Sequence, residues 1–579
     1  MAAEPQLDAA GSPRKGFVTL FLLVALALGV PAFAQSPASD QARLAAAQGA
    51  FDAGHWEEAA KLARGPADQS PDLDFLTGLA QARLQKWDDA RLAFDAGFRK
   101  SPGDSRFLVE LAGIAYKQND FRNAKTHLHG ALRLNPGDSY SREFLATIYF
   151  IEGNLEAALK YWNPEGKPRL RSVKVVPPLK LKESLRDRAV AFNALQVLKT
   201  EALLATQARL GNLGIFSSQR MELSPAESGS YDATLHLAEK NGWGDSKVEG
   251  IVSLLSGLPY ATIYPEFYNF RGDAANLSSL ARWDPEKRLL SLVLSMPLYQ
   301  DPSLRLRFYA DVRNENWNLA QTFFGAGAPL TDLNLRRVAV GTEVRSIVSS
   351  RWSWSAGAEI GNRNFRNLSA LTSPAERVFF AGATSVAGWL GVRPTLVRLP
   401  ERRFTLDSSA EAKAGREFAD GLGPFATLRG ALLAQWFPRA RGDNYQVQAQ
   451  IRAGATAGKT TLDELFELGM ERDNDLWLRG HPGTLAGRKG GAPLGRRFFL
   501  ANWELDKNIY QNGFFTLKLG PFLDSGAVAD SSGLFGSQRW LWDTGAQCKV
   551  RVLGSLTIGF SYGRDLRGAR NVFYGTVLH

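Results

Sequence analysis

One segment near the C-terminus carries the residue types of a serine nucleophile. Gly559-Phe-Ser561-Tyr-Gly563 fits the G-x-S-x-G pattern, in which the serine attacks an acyl carbon from a sharp turn between a strand and a helix. Here the motif lies inside an alternating apolar and polar run, and no helical pattern follows it. The turn that the chemistry needs is therefore not predicted. We expect no catalytic residue and no enzymatic activity.

Residues that bind metals or form disulfides are scarce. The 579-residue chain has one cysteine, Cys548, and six histidines. One cysteine excludes an intrachain disulfide framework and a thiolate metal cluster. A zinc site would need ligands scattered along the chain. We therefore expect neither a metal nor another cofactor.

The charge of the chain is positive. Lys and Arg number 69 and Asp and Glu 58, which gives a formal net charge of +11. Such an excess is compatible with nucleic acid, anionic lipid or lipopolysaccharide as a partner. The charge alone does not choose among these three partners.

The N-terminus disfavours nucleic acid as the partner. Arg14-Lys15 precedes an apolar run over residues 17–30 and the small-residue site Ala32-Phe-Ala34, which is the pattern of a secretory signal peptide. We predict that residues 1–34 are the signal peptide and that the mature chain begins near Gln35. The alternative is a membrane-anchoring helix, for which the apolar run is short.

A short pattern recurs with a fixed period after the signal peptide. Alanine follows an apolar residue by three positions in the four segments Trp56-Glu-Glu-Ala59, Trp87-Asp-Asp-Ala90, Phe121-Arg-Asn-Ala124 and Leu155-Glu-Ala-Ala158. The alanines are 31, 34 and 34 residues apart, and a proline stands twelve residues beyond each of the first three. This is the tetratricopeptide period.

We predict an all-α tetratricopeptide repeat array over residues 35–168. Its alanines would let two helices approach closely, and its aromatic residues would pack between successive helix pairs. Such an array presents a concave surface to a peptide or a partner protein. The alternative is a set of four helical hairpins without superhelical stacking.

A different pattern occupies residues 169–242. A β-branched run at residues 173–176 precedes a helical stretch over 179–210 and two strands at 218–223 and 231–238. This β-α-α-β-β order, with Leu213-Gly-Ile-Phe216, resembles a POTRA domain, the periplasmic module of BamA/TamA-type outer-membrane assembly factors. A generic small α+β domain has the same pattern. The exposed strand edge of either would suit the capture of another chain by strand addition.

Residues 243–579 alternate with period two. In residues 303–313 the apolar side chains stand at even positions and the charged or polar ones at odd positions, as in a strand with one apolar face. At about 20 residues for each strand and loop, the segment allows about 16 strands. We predict a C-terminal transmembrane antiparallel β-barrel. The alternative, a soluble array of β-sandwiches, would need polar outer faces.

Two late motifs resemble the BamA/TamA surface-antigen family. Leu478-Arg479-Gly480-His481 is similar to the motif of the family's inward loop, with His481 where Phe or Tyr is usual, and Phe522-Leu-Asp524-Ser-Gly526 matches its strand motif. The resemblance implies that Arg479 reaches through the barrel lumen to Asp524. A planar guanidinium suits a carboxylate in this way. Alternatively, Arg479 is a solvated loop residue and Asp524 a turn former.

The resemblance implies a non-enzymatic outer-membrane protein that assembles, inserts or translocates other proteins. Its N-terminal domains would lie in the periplasm, where the repeats would recruit a partner or client protein. Lipid or lipopolysaccharide would surround the barrel, and nucleic acid would not be a partner. An alternative is a repeat-bearing pore that exports a polysaccharide or another polymer. A scaffold with an inert barrel is a third possibility.

We predict that the mature chain fractionates with the outer membrane. Because a signal peptide precedes a barrel pattern, the folded barrel should also migrate faster than the boiled chain on denaturing gels. Cell fractionation and gels of heated and unheated samples measure both properties. Recovery of the mature chain in the cytosol would contradict the localisation and the barrel together.

Overall fold

The computed structural model describes residues 38–65, 69–240, 242–243, 251, 261–324, 332–368, 373–512, 515–537, 539–552 and 556–578. The predicted signal peptide, residues 1–34, lies outside these residues. The chain divides into two compact units, Met1–Leu145 and Ala146–His579. Within the described ranges, no helix combines the length and the apolar character that crossing a membrane would require.

The first part of the described chain consists of helices joined by short turns. These helices are α1 Ala38–Asp52, α2 Trp56–Ala63, α3 Pro71–Arg83, α4 Trp87–Lys100, α5 Ser105–Lys117, α6 Phe121–Leu134, α7 Ser139–Ile151 and α8 Leu155–Trp162. The turn inside each pair contains a residue with positive φ, namely Gly54, Gln85, Asn119 and Gly153. These four residues recur with the period of the sequence pattern. Each helix pair therefore makes the same kind of tight turn.

The repeat alanines are buried between the helices. Ala59, Ala90, Ala124 and Ala158 have no exposed surface, which agrees with close helix approach. Trp87 packs on a cluster that contains Phe94 and Phe107, and the Phe121 ring lies 5.7 Å from that of Tyr116.

Trp56 does not pack between helix pairs, in contrast to the packing predicted for the aromatic residues of the repeats. Its side chain is 37% exposed. Trp56 begins the second helix of the first pair, and the described residues contain no earlier pair to cover it.

A small α+β module follows the helices. Its elements are β1 Leu170–Val176, α9 Glu183–Ala189, α10 Thr200–Leu213, β2 Phe216–Pro225 and β3 Tyr231–Glu239. The sheet order is β1-β3-β2, with β1 parallel and β2 antiparallel to β3. β1 and β2 are therefore the sheet edges. The module packs on the preceding helices through Tyr231, whose ring lies 5.9 Å from Phe150 and 5.6 Å from Trp162.

The rest of the described chain forms one large antiparallel sheet. Its wall strands are β4 Thr262–Ile263, β5 Glu266–Phe270, β6 Ala275–Trp283, β7 Lys287–Pro297, β8 Leu304–Trp317, β9 Leu333–Ser349, β10 Trp352–Arg366, β11 Ala383–Leu399, β12 Phe404–Phe418, β13 Pro424–Trp436, β14 Tyr445–Gly458, β19 Arg497–Gln511, β20 Phe515–Ala529, β21 Leu541–Val552, β22 Leu556–Asp565 and β23 Asn571–Leu578. Between β10 and β11 lies the short helix α11 Pro374–Phe379.

These strands follow each other in chain order, and the order leads from β23 back to β4 to form a barrel. β4 and β5 both pair with β6. A loop hairpin, β16 Thr484–Leu485 and β17 Arg488–Lys489, adds two further strands to the sheet, and β15 Phe466–Glu467 pairs separately with β18 Leu494–Gly495. The predicted barrel of about 16 strands is confirmed.

The outer face of the barrel is apolar. Large apolar side chains stand exposed at alternate positions of nearly every long strand: Leu290, Leu292, Phe308, Val312, Val338, Val340, Ile360, Val386, Leu390, Val392, Leu428, Leu432, Ile451, Phe499, Trp503, Leu519, Leu523, Phe560, Tyr562 and Phe573. A soluble protein rarely exposes so continuous an apolar surface. This face is the one that a membrane barrel turns to lipid, so the β-sandwich alternative is wrong.

We predict opposite effects of two glycine substitutions in the repeats. A Cβ on Gly97 would lie 2.2 Å from Cε1 of Phe107, whereas one on Gly113, inside α5, would meet no atom within 4 Å. Gly97→Ala should lower the free energy of unfolding of the repeats by about 1–3 kcal/mol through overpacking. The control Gly113→Ala should leave it unchanged or raise it by up to about 1 kcal/mol. Hydrogen exchange in the repeats, measured while urea unfolds the full chain, gives the stability of each variant. Equal effects of the two substitutions would contradict the prediction.

Candidate functional site in the barrel lumen

The loop that connects β14 to β19, residues 459–496, lies inside the barrel. It contains the short strands β15 to β18, and its apolar side chains pack on the inner wall. Phe466, Leu468, Leu476 and Leu478 form one buried cluster with the wall residues Phe498, Leu500, Val528 and Leu541. This packing brings the predicted motif, Leu478 to His481, against strands β19 to β22.

Arg479 and Asp524 meet in this region. Nε and Nη2 of Arg479 donate to the two carboxylate oxygens of Asp524 at 2.8 and 2.6 Å, and the Arg479 backbone N–H donates to the same carboxylate at 3.0 Å. Arg479 is 3% exposed and Asp524 0%. The pair is thus bidentate and removed from water, the geometry in which such a pair is strongest. The alternative of a solvated Arg479 does not fit this burial.

The rest of the Arg479 guanidinium is also satisfied. Nη1 donates to Oε1 of Glu504 at 2.7 Å and to Oε1 of Gln547 at 2.8 Å, and the group lies 3.8 Å from the ring centroid of Phe522. Asn502 Nδ2 donates to Asp524 at 2.7 Å. Burial by itself would lower the pKa of Arg479, but Asp524 and Glu504 outweigh it, so the pKa is raised.

Two glycines of the motifs lie so close to neighbouring backbone atoms that a side chain would not fit. A Cβ on Gly480 would lie 2.6 Å from the backbone nitrogen of Asp565, and one on Gly526 would lie 2.7 Å from the carbonyl oxygen of Phe499. The Gly480 N–H itself donates to Asp543 at 2.6 Å. Gly480 therefore lets the loop tip contact the wall backbone, and Gly526 lets the neighbouring strands β20 and β19 lie close together.

His481 takes a polar role in place of the usual aromatic residue. Its Nδ1 lies 3.0 Å from an oxygen of Asp543, and its Nε2 lies 3.7 Å from an oxygen of Asp565. Asp543 and Asp565 stand directly opposite each other on β21 and β22, where two like charges repel. The His481 ring lies between these two carboxylates.

The same three residues have the donor types of a cation site. Their ligand atoms lie within 4.8 Å of one another. The two carboxylates face opposite nitrogens of the ring, so a metal ion bound through one ring nitrogen would lie beside only one of them. Sequence reasoning missed the group because its members are far apart in the chain.

A second set of charges fixes the loop to β6, β7 and β8. Glu471 faces Arg282 at 3.2 Å and Lys287 at 3.6 Å. Asp473 lies 2.7 Å from both Arg313 and Lys489. The pairs with Arg282, Lys287 and Arg313 join the loop to three wall strands, and the pair with Lys489 lies within the loop. The loop is therefore anchored to β6–β8 as well as to the strands around Arg479.

A third set fixes the start of the loop to β10 and β12. Arg363 lies 3.2 Å from Asp463, 3.1 Å from Glu464 and 2.7 Å from Glu417, and Lys413 lies 3.2 Å from Glu464. Burial alone would raise the pKa of Glu464, but Lys413 and Arg363 lower it to about 2. The only sequence signal for these pairs was the alternation of charges along the strands.

Ser561 lies in a position without the geometry of a nucleophile. It is within β22, and β22 is followed by β23, an adjacent antiparallel strand. The strand-to-helix turn of a serine nucleophile is therefore not formed at this residue.

Comparisons with known proteins give results for both halves of the chain. The tetratricopeptide repeat model matches residues 44–105 and 109–163, so the predicted repeats are confirmed. Among solved structures, BamA from Haemophilus ducreyi lacking POTRA domains 1–3 is similar at 13% identity and a TM-score of 0.40, covering 71% of this chain and 84% of that chain. The BamA/TamA-type family that the motifs resemble is thus represented among the similar structures.

Two CdiB structures are similar as well. CdiB from Escherichia coli has 13% identity and a TM-score of 0.45, covering 71% of this chain and 76% of that chain. CdiB from Acinetobacter baumannii has 13% identity and a TM-score of 0.42, with 83% and 86% covered. No curated protein matches the chain.

We predict that Arg479 and Asp524 act as one unit. Arg479→Ala or Asp524→Ala leaves a buried charge without its partner, which costs about 3–5 kcal/mol. Both should destabilise the folded barrel and increase loop motion to a similar extent. The double variant should be no worse than either single one, since the second substitution removes the stranded charge. Urea unfolding and conductance noise in planar bilayers measure the two effects.

A matched control lies on the same loop. Arg488 pairs with Glu286 at 3.1 Å, but its side chain is 36% exposed, so Arg488→Ala should change stability and noise little. Additive effects of Arg479→Ala and Asp524→Ala, or effects as small as that of the control, would show that the two side chains do not act together.

Proposed function

We propose that this protein is a non-enzymatic outer-membrane barrel that assembles, inserts or translocates other proteins, and that its periplasmic repeats recruit a partner or client. The observation that carries the proposal is the lumen loop, which three sets of ion pairs hold against the wall. This loop occupies the barrel interior, which distinguishes the barrel from an open pore. The family that the loop and strand motifs resemble has this function.

The outer-membrane location is supported by the apolar outer face together with the predicted signal peptide. A chain that is exported and then buries such a face in lipid would lie in the outer membrane, with lipid or lipopolysaccharide around it.

The α+β module supports the capture of a client strand. We propose that it is a POTRA-like domain within residues 169–242. β2 lies at an edge of its sheet, with Gln219 and Arg220 exposed. The backbone groups on the outer side of an edge strand can pair with an extended client segment.

Contacts between the module and the barrel support transfer of that segment. Nη1 of Arg305, on β8, donates to the carbonyl oxygens of Asn212 and Leu213 at 2.7 and 2.6 Å. The Lys182 N–H donates to the carbonyl oxygen of Gly272, in the turn between β5 and β6, at 2.9 Å. The module thus contacts the first strands of the barrel, next to the seam where we propose that client strands enter.

The last repeat helix contacts the same end of the barrel. Glu156, in α8, accepts two hydrogen bonds from Arg398 at 2.5 and 2.7 Å, and Asn154 Nδ2 donates to the carbonyl oxygen of Pro400 at 2.8 Å. A partner bound to this helix would therefore be close to both the module and the strand turns. This arrangement supports recruitment as the role of the repeats.

The polymer-export alternative needs an open path through the barrel. The loop and its three sets of ion pairs occupy the lumen in this structure, and an exporter has no evident use for the Arg479 and Asp524 pair. The assembly function accounts for both features, so we favour it.

We predict that deleting residues 39–162 leaves a folded barrel that no longer recruits its partner. Repeat arrays are stabilised by contacts between neighbouring repeats, so the barrel should keep its heat-modifiable migration. Partner capture, measured in cells by a photo-crosslinking residue at position 219 of β2, should fall at least tenfold.

The substitution Arg398→Ala serves as the control for this deletion. It breaks the contact with α8 but keeps the repeats, so capture should persist. If the deleted chain fails to enter the membrane, the repeats belong to the folding of the barrel, and recruitment is not their main role.

A further inference from the structure

A cavity of about 480 Å³ lies at the end of the barrel that faces the α+β module. Helix α10 bounds it on one side and strands β9 to β14 on the other. Arg345, Arg351 and Arg393 line it, and Asp407 is the only acidic residue of its described lining. The lining therefore carries three positive charges and one negative charge.

Within the described residues, Arg345, Arg351 and Arg393 form no ion pair. Arg345 stands directly opposite Arg305 on the adjacent strand, an arrangement in which like charges repel. Arg305 is occupied by the carbonyl oxygens of Asn212 and Leu213. Nε of Arg345 is buried and has no hydrogen-bond partner in the described part of the chain. A buried donor without a partner is unfavourable unless a ligand satisfies it.

The nearby carboxylates are already engaged. Glu343 is close enough to Arg345 to interact with its charge. The carboxylate of Glu343, however, already accepts hydrogen bonds from Arg307 at 3.0 Å and from Nε1 of Trp389 at 3.3 Å. Asp407 accepts from the Thr395 hydroxyl at 2.6 Å. Neither carboxylate is paired with Arg345 or Arg393, so among the described residues no carboxylate engages these two guanidinium groups.

The remaining polar lining includes the hydroxyl and amide groups of Gln207, Ser350, Ser353, Ser408, Ser409 and Gln450. Such groups add hydrogen-bond donors around the guanidinium groups. The volume is that of a site for a small molecule. Guanidinium groups recognise the paired oxygens of phosphates and carboxylates.

We propose that this cavity binds an anionic ligand that carries several phosphate or carboxylate groups. Arg345 and Arg393 are its main binding residues, and the serine hydroxyls complete its coordination. The site is distinct from the lumen loop and does not depend on the proposed assembly function, because it follows from unbalanced charge at the opposite end of the barrel.

The test is calorimetric titration of the full-length protein in detergent micelles with two probes, tripolyphosphate and citrate. We expect saturable binding of at least one probe, and the comparison shows whether phosphate or carboxylate groups are preferred. The double substitution Arg345→Gln with Arg393→Gln should weaken binding at least tenfold. The substitution Arg551→Gln removes a cation at a residue outside the cavity lining and should leave the affinity within twofold.

A second variant separates loss of binding from loss of folding. Arg345→Lys with Arg393→Lys keeps both charges but loses the planar fork, so it should bind more weakly than the native chain and more tightly than the Gln variant. Heat-modifiable migration verifies that each variant is folded. The proposal is overturned if neither probe binds the native chain. It is also overturned if the folded Gln variant or the folded Lys variant binds the probe as tightly as the native chain does.

Discussion

The removal of the Arg479 guanidinium from water is the constraint on which the lumen depends. A buried charge is tolerated only when nearly every donor and acceptor around it is paired. Asp524, Glu504 and Gln547 provide these partners from three adjacent strands, and each must be in register for the geometry to form. The loop tip and β19 to β21 therefore fix one another, and a shift of any of them would leave a charge unpaired.

The inner face of the barrel wall carries many charged side chains, whereas the outer face is apolar. Strand side chains alternate, so a wall with an apolar exterior sends every other residue inward. In this barrel many inward residues are ionic, and they need partners. The loop supplies acids such as Glu471 and Asp473 to wall cations, and the cation Arg479 to wall acids. One loop can thus neutralise three parts of the wall, which makes it both a plug and a structural support.

The two ends of the barrel differ in this balance. Near the loop, cations and carboxylates alternate within hydrogen-bonding distance. At the end that faces the module, Arg345 and Arg393 lie beside carboxylates that are already engaged. The same end receives the module and the last repeat helix, which contact the barrel through Arg305 and Arg398. The contacts with the module and with the last repeat helix thus lie at this end, whereas the loop fills the interior.

The sequence by itself determined the features that repeat locally. The spacing of Ala59, Ala90 and Ala124 predicted the repeats, and the alternation of side chains predicted the strands, because both periods follow from the geometry of one element. The motif resemblance also indicated Arg479 and Asp524. Only the tertiary structure decided that His481 lies between Asp543 and Asp565 and that Glu471 meets Arg282. It also decided that Arg345 forms no ion pair within the described residues. These contacts depend on strand register and on the path of a long loop, which are set by packing between distant segments and leave no local pattern in the chain.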